Sequence, residues 1–187
     1  MLGFNGGLLG KRRVPSAGAA PGLWFPNEQS VAKRDAIWPL TGGYRYWRFV
    51  NFADTYLNND TFDLTEVEFY GDNDVKNTVS TATASFSWTL GTTSVIIDGT
   101  KTDGNRAYKY LWSAFRSTAT LTFDFGQSTP FNKIEIFSLY AQPRFPASFD
   151  LQFSTDGTNY SSHGTVTVGT TFTYLGGNVY TSGRVAI

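Results

Sequence analysis

Apolar and polar residues alternate with a period of two along several short segments of the chain. At residues 149–154 the apolar side chains of Phe149, Leu151 and Phe153 alternate with Asp, Gln and Ser, and residues 118–125 repeat the pattern. Because successive side chains of a β-strand point to opposite faces, this period predicts half-buried strands. Gly and Pro residues separate the segments, as is typical of turns between strands.

Further strands are predicted at three segments rich in aromatic or branched residues, 44–52, 64–71 and 131–140. In the second of these, Val67 and Phe69 are predicted to face the core, and Glu66 and Glu68 to face the opposite side. Several short alternating strands without a helical period indicate an all-β fold, an antiparallel sandwich or barrel.

The composition supports this fold class and narrows the possible partners. Aromatic residues make up 17% of the chain and charged residues only 16%, which suits pleated, half-buried surfaces. Basic and acidic residues balance at 15 each, so no net charge favours nucleic acid.

No run approaches the ~20 apolar residues that span a bilayer. The N-terminal residues also lack the basic-then-apolar order of a signal peptide. We therefore expect neither nucleic-acid binding nor membrane insertion. Because the chain has no cysteine, disulfide and thiolate chemistry are excluded.

A change in composition near residue 43 divides the chain into an N-terminal arm, residues 1–43, and a β-rich domain, residues 44–187. The arm holds four of the seven prolines and many glycines. Residues 27–38 lie between Pro26 and Pro39, which predicts a short helix within an otherwise extended arm.

The arm is too apolar for a solvated tail, since it carries four large side chains, those of Trp24, Phe25, Ile37 and Trp38. We expect these four residues to order against another surface, either this chain's own domain or another subunit. The arm also carries five basic and two acidic residues, so it is positive and the domain negative. This asymmetry fits either arms that dock on neighbouring domains or a chance fluctuation.

The segment 123–160 is the most specific in the chain. Its last part reads Phe149, Leu151, Phe153, Ser154, Asp156, Gly157 and Tyr160. This order of an alternating strand, a Ser-x-Asp-Gly turn and an aromatic resembles the discoidin or coagulation-factor C-type family, also called galactose-binding-like. The resemblance implies a discoidin-like antiparallel β-sandwich, a jelly roll.

Residues 45–71 resemble the closing strands of the same family, which stand last in most members and first here. The resemblance therefore covers residues 44–160 in a permuted order, and residues 160–187 are expected to supply the remaining strands. This permuted order is best known from bacteriophage structural proteins.

The arm carries a second resemblance. Residues 7–39 are similar to an N-terminal segment of virion and tail proteins of marine and cyanobacterial phages, for example at Gly22-Leu23-Trp24 and Ile37-Trp38-Pro39. This implies a location in the virion, with other virion proteins and copies of the same chain as partners. Position on the tail or on the capsid stays open.

The segment 95–108 contains two Asp-Gly turns five residues apart. In many members of the family such a loop holds a structural calcium ion, and the resemblance implies Asp98, Asp103, Glu66 and Thr100 as its ligands, with a carbonyl from Val95. Three carboxylates and two carbonyls suit calcium, which takes six to eight oxygens. The alternative is a pair of ordinary turns in which the Asp side chains cap backbone amides.

A ligand site is implied at one end of the sandwich, where family members hold sugars between an aromatic ring and polar side chains. The implied ligand-binding residues are Tyr140, Arg144, Phe145, Tyr108 and Trp112, with Tyr110 and Arg116 beside them. The alternative is that these aromatic residues fill the sandwich or a subunit contact, as most large aromatics are buried.

The sequence gives no reason to expect an enzyme. His163 is the one histidine, and it stands in a polar segment without an orienting acid nearby in sequence, which indicates a surface residue. Two functions remain. The first is a structural component of a phage virion, attached through its arm. The second is a carbohydrate-binding adhesin that recognises host cell-surface glycans.

Overall fold

The computed structural model describes residues 43–53, 61–71, 74–102, 104–110, 116–139, 144–168 and 172–187. The predicted arm helix and the four apolar arm residues lie outside them. The described residues form a 3-10 helix at Thr93–Ile97 and twelve strands: β1 Tyr44–Val50, β2 Thr61–Leu64, β3 Glu66–Tyr70, β4 Lys76–Asn77, β5 Thr81–Ala84, β6 Ala107–Tyr110, β7 Leu121–Thr129, β8 Lys133–Leu139, β9 Ser148–Ser154, β10 Ser161–Thr167, β11 Thr173–Gly176 and β12 Val179–Ala186.

The strands form two five-stranded antiparallel sheets. The first sheet has the order β10-β9-β1-β7-β5, and the second has the order β11-β12-β8-β3-β4. β2 and β6 pair separately as a two-stranded ribbon. The all-β fold predicted from the alternating pattern and the discoidin-like sandwich implied by the resemblance are both confirmed. No helix among the described residues is long and apolar enough to cross a bilayer.

The core between the sheets is built mainly from aromatic rings. Phe49 on β1 lies with its ring centroid 4.0 Å from Phe149 and 4.8 Å from Phe123, both of which are fully buried. Phe69 on β3 meets Phe123 edge-on at 4.8 Å, which joins the second sheet to the first. Each such ring contributes roughly 1.5–3 kcal/mol through burial. The alternation of aromatic and polar residues thus places one face of each sheet in a shared core.

The predicted strand at residues 64–71 is two strands in the structure. Thr65 separates β2 from β3, and its backbone N–H donates to the carbonyl of Phe137 at 2.9 Å. Val67 and Phe69 face the core as predicted. Glu66 and Glu68 lie on the other side of β3, yet they are only 1% and 3% exposed. Alternation therefore gave the correct face for these two acids without revealing that this face is covered.

Candidate functional site

The first Asp-Gly turn directly follows the 3-10 helix. Asp98 accepts a hydrogen bond from the backbone N–H of Thr100 at 2.8 Å, and Gly99 has a left-handed φ of 84°. An Asp side chain that binds the backbone N–H two residues ahead is the usual stabiliser of such a turn. The capping role expected of Asp98 as the alternative to a metal ligand is therefore present.

Asn105 closes the loop that begins at Asp98. Its side-chain amide nitrogen donates to both carboxylate oxygens of Asp98, at 3.0 and 2.8 Å, and lies 3.5 Å from the carbonyl oxygen of Thr100. Burial raises the pKa of Asp98, but the hydrogen bonds from Asn105 and Thr100 outweigh it and leave the pKa below its usual value. Sequence reasoning did not identify Asn105, because the family pattern carries no marker at its position.

Glu66 meets this loop from β3. One carboxylate oxygen accepts a hydrogen bond from the backbone N–H of Gly99 at 3.1 Å. The other has no hydrogen-bond partner and lies 3.6 Å from the ammonium group of Lys76. Burial raises the pKa of Glu66 to about 7, although the Gly99 N–H and the Lys76 charge oppose the rise. The structure thus brings Glu66 and the Asp98 turn together, as the resemblance implied.

Glu68, the next outward-facing residue of β3, is held by two lysines. Its carboxylate lies 2.6 Å from the ammonium of Lys76 and 2.9 Å from that of Lys101, and it accepts a 2.5 Å bond from the Tyr70 hydroxyl. Burial raises the pKa of Glu68, but these three partners reverse the shift and lower it. Lys101 also lies over the ring of Phe137 at 3.9 Å, so it attaches the Asp-Gly loop to the second sheet.

The described part of the implied calcium set does not form an open cage of oxygens. The side-chain nitrogen of Asn105 contacts oxygens of Asp98 and Thr100, two of the ligands that the resemblance implied. No group of three acidic or histidine side chains converges within the residues that the structure describes. This arrangement does not fit a bound calcium ion. Asp103 lies outside the described residues, so the ligand set implied by the resemblance stays a prediction.

The implied ligand residues are only partly described. Tyr140 and Trp112 lie outside the described residues, and Tyr108 lies on β6 with a side chain that is not described. Arg144 is partly exposed, and its carbonyl accepts a hydrogen bond from the backbone N–H of Asp63 at 2.9 Å. This contact fixes the backbone at Arg144.

Phe145 lies in the core and not at a solvent-facing site. It is 1% exposed, with its ring centroid 5.4 Å from Phe62 and 6.0 Å from Phe149. A ring enclosed in this way has no free face on which a sugar can stack. The structure places Phe145 among the aromatics that fill the sandwich, the alternative that the sequence left open.

His163 is more buried than its polar sequence segment indicated. Its ring lies 5.8 Å from that of Trp47, and burial lowers its pKa. The imidazole is therefore neutral at physiological pH and packs as part of the first sheet.

Two inner strands of the sandwich, one in each sheet, come from the start of the domain. β1 lies between β7 and β9 in the first sheet, and β3 lies between β8 and β4 in the second. The family model of the F5/8 type C domain matches residues 78–182, more than half of the chain, and begins after both strands. No match was found among curated proteins or among solved structures. On its fold and on this match, the chain belongs to the F5/8 type C domain family.

Proposed function

We propose that the protein is a non-catalytic structural component of a phage virion, on the tail or the capsid, which displays its F5/8 type C sandwich. The observation that supports this is the strand order. β1 and β3 precede the matched residues 78–182, yet they occupy inner positions in both sheets. This is the permuted order that the sequence resemblance associates with phage structural proteins, and residues 7–39 carry the second resemblance to such proteins.

The sandwich contains the core that it needs. The buried core cluster includes residues of both sheets, with Trp47 on β1 as its first member in sequence and Val168 after β10 as its last. Residues 43–187 all belong to one compact unit. In this proposal attachment therefore depends on residues 1–43, whose large apolar side chains bind other virion proteins or neighbouring copies.

The experiment compares purified particles that carry the full chain, the chain without residues 1–43, or the full chain with Trp24, Phe25, Ile37 and Trp38 changed to Ala. The full chain should be detected at many copies per particle by antibody labelling and mass spectrometry. Both altered chains should fold in solution but be lost from the particle. Absence of the full chain from particles overturns the virion proposal, and normal occupancy of the truncated chain overturns attachment through the arm.

A second proposed function is a carbohydrate-binding adhesin, because F5/8 type C domains are generally non-catalytic binding domains. Arg144 supports it, since it is partly exposed and its backbone carbonyl is held by the backbone N–H of Asp63. The change Arg144→Ala should abolish retention on immobilised host polysaccharide and leave the melting temperature unchanged.

The matched control for this experiment is Arg45→Ala, which removes a surface arginine paired with Asp124 on the first sheet. This control should keep the retention of the wild-type chain. Failure of the wild-type chain to bind any host glycan rejects the adhesin function.

A further inference from the structure

Three contacts between the chain's own groups hold the Asp-Gly loop, one across the loop and two to the second sheet. Asn105 binds Asp98 across the loop, the backbone N–H of Gly99 binds Glu66, and the ammonium of Lys101 binds Glu68 at 2.9 Å. Two of these contacts are made with β3, so the loop is fixed to an inner strand of the second sheet.

Asn105 has a specific position within this arrangement. Carboxylate and carbonyl oxygens only accept hydrogen bonds, so the group of Asn105 that faces Asp98 and Thr100 must be the amide nitrogen. Its distances to the two Asp98 oxygens, 3.0 and 2.8 Å, are those of hydrogen bonds to a charged acceptor. The partly positive amide thus meets the oxygens that were expected to surround a cation.

The charges of the nearby acids are also balanced from within the chain. Lys76 and Lys101 both contact Glu68, and Lys76 lies 3.6 Å from Glu66. A calcium ion at this place would have to displace the Asn105 nitrogen and share the acids with two ammonium groups. Calcium needs six to eight oxygen ligands, and an amide nitrogen is not among the ligands that it takes.

We propose that the Asn105 amide holds this loop closed in place of a metal ion, so that the domain keeps its Asp-Gly loop without calcium. Lys101 is the second positioning residue, because it fixes the loop to Glu68 and to the ring of Phe137. The inference is independent of both proposed functions, since it concerns the loop alone.

The test uses the full chain and its melting temperature, measured with excess chelator and with excess calcium chloride. The wild-type chain should melt at the same temperature in both, and calorimetric titration with calcium should show no binding. Asn105→Ala should lower the melting temperature by about 2–4 °C in both conditions, the shift expected for losing about 1 kcal/mol in a domain of this size. A chelator-dependent wild-type melt, or an Asn105→Ala chain that melts like the wild type, overturns the proposal.

The variant Asn105→Asp turns the contact between residue 105 and Asp98 into a candidate ion site, because it replaces the donor nitrogen by a carboxylate that faces Asp98. Its melting temperature should fall further than that of Asn105→Ala in chelator and should rise when calcium is added. The matched control is Asn159→Asp, since the side-chain amide of Asn159 donates to one carboxylate oxygen of Asp156 in another Asp-Gly turn, at 2.8 Å. Its melt should not depend on calcium. If Asn105→Asp is as stable as the wild type in chelator, the amide is not the group that closes the loop.

Discussion

At the scale of single residues, two glycines near the 3-10 helix differ in how much space their surroundings leave for a side chain. Gly91 and Gly99 both have a left-handed φ, 76° and 84°. A Cβ atom on Gly91 would lie 2.1 Å from the carbonyl oxygen of Arg106, whereas one on Gly99 would meet nothing within 4 Å. Of these two positions, only Gly91 therefore requires glycine both for its dihedral angle and for the nearby backbone of Arg106.

We expect Gly99→Ala to lower the free energy of unfolding by about 1–2 kcal/mol, the cost of a left-handed alanine. Gly91→Ala should lower it by about 1–3 kcal/mol more, because the Arg106 backbone must move. Urea denaturation of both variants measures the difference. Equal losses in the two variants would contradict the close contact at Gly91.

Glu66 predicts an unusual dependence of stability on pH. Burial raises its pKa from 4.5 to about 7 in the folded chain, so between these values the folded chain holds a proton that the unfolded chain releases. Stability must then fall as pH rises through this window and stay constant above it. Glu66→Gln removes this contribution, and above pH 7 it should raise the free energy of unfolding by up to about 3 kcal/mol relative to wild type.

The measurement is urea denaturation at a series of pH values in the presence of chelator. Glu68→Gln is the matched control, because its two lysine partners lower the pKa of Glu68. The ionised Glu68 stabilises the fold above its unfolded pKa, so this control should be less stable than wild type at neutral pH. If Glu66→Gln and wild type show the same pH dependence, Glu66 does not carry the buried proton.

The residues of the Asp-Gly loop show how far sequence can identify a site. Asp98 and Glu66 were identified from the family pattern, and the structure brings Glu66 to the turn at Asp98. Asn105 was not identified, because its contact with Asp98 depends on the path of the loop and not on a spacing. Phe145 was assigned to the ligand site by its place in a loop, but its side chain points into the core.

At the scale of elements, the period of two located the strands that have one apolar face. β7 and β9 follow it, with Leu121, Phe123 and Leu151 fully buried. β10 has the sequence SSHGTVT, which alternates weakly, so it was assigned only as part of residues 160–187. The acids of β3 are covered by Lys76 on the neighbouring strand β4 and by Lys101, which is distant in sequence. Alternation along one strand cannot show such cover.

The core contacts of β1 predict a large effect of a single substitution. Phe49 is fully buried and its ring stacks on Phe149 at 4.0 Å. Phe49→Ala should lower the free energy of unfolding by about 3–5 kcal/mol, because it leaves a cavity between the two sheets. Arg48→Ala, on the opposite face of the same strand, removes contacts with Gln152 and Tyr160 and should lower it by about 1 kcal/mol. Similar losses, measured by denaturant unfolding, would contradict the assignment of β1 as a core strand.

At the scale of the whole molecule, the first and the last described residues of the domain, Gly43 and Ile187, both contact the segment of residues 129–132. Gly43 packs so closely on Thr129 and Pro130 that a Cβ atom there would overlap their backbone. At the C-terminal side of the domain, the backbone N–H of Ile187 donates to the carbonyl of Asn132 at 3.0 Å. Two residues of extended chain span about 7 Å, so the two ends of the domain lie near each other. A permuted strand order requires termini that lie close together. The two termini can then be joined and the chain cut at another loop, and the sandwich is otherwise unchanged.

This geometry predicts that the order of strands can be changed without changing the fold. In the variant that we expect to fold, a Gly/Ser linker of roughly six residues joins Ile187 to Gly43, and new ends are placed between Gly71 and Asp74, with the arm removed. β1, β2 and β3 then follow β12, the order in which most family members carry them. The cut removes the β3–β4 turn contact between Gly71 and Val75, so only the edge strand β4 is loosened. Circular dichroism should show the same β-rich spectrum as for residues 43–187, with one cooperative melt a few degrees lower.

As a control, the same linker with new ends inside β8, between Ile136 and Phe137, should not fold, since β8 lies between β12 and β3. If the first variant fails to fold and the linear domain folds, the two ends are not close enough to be exchanged.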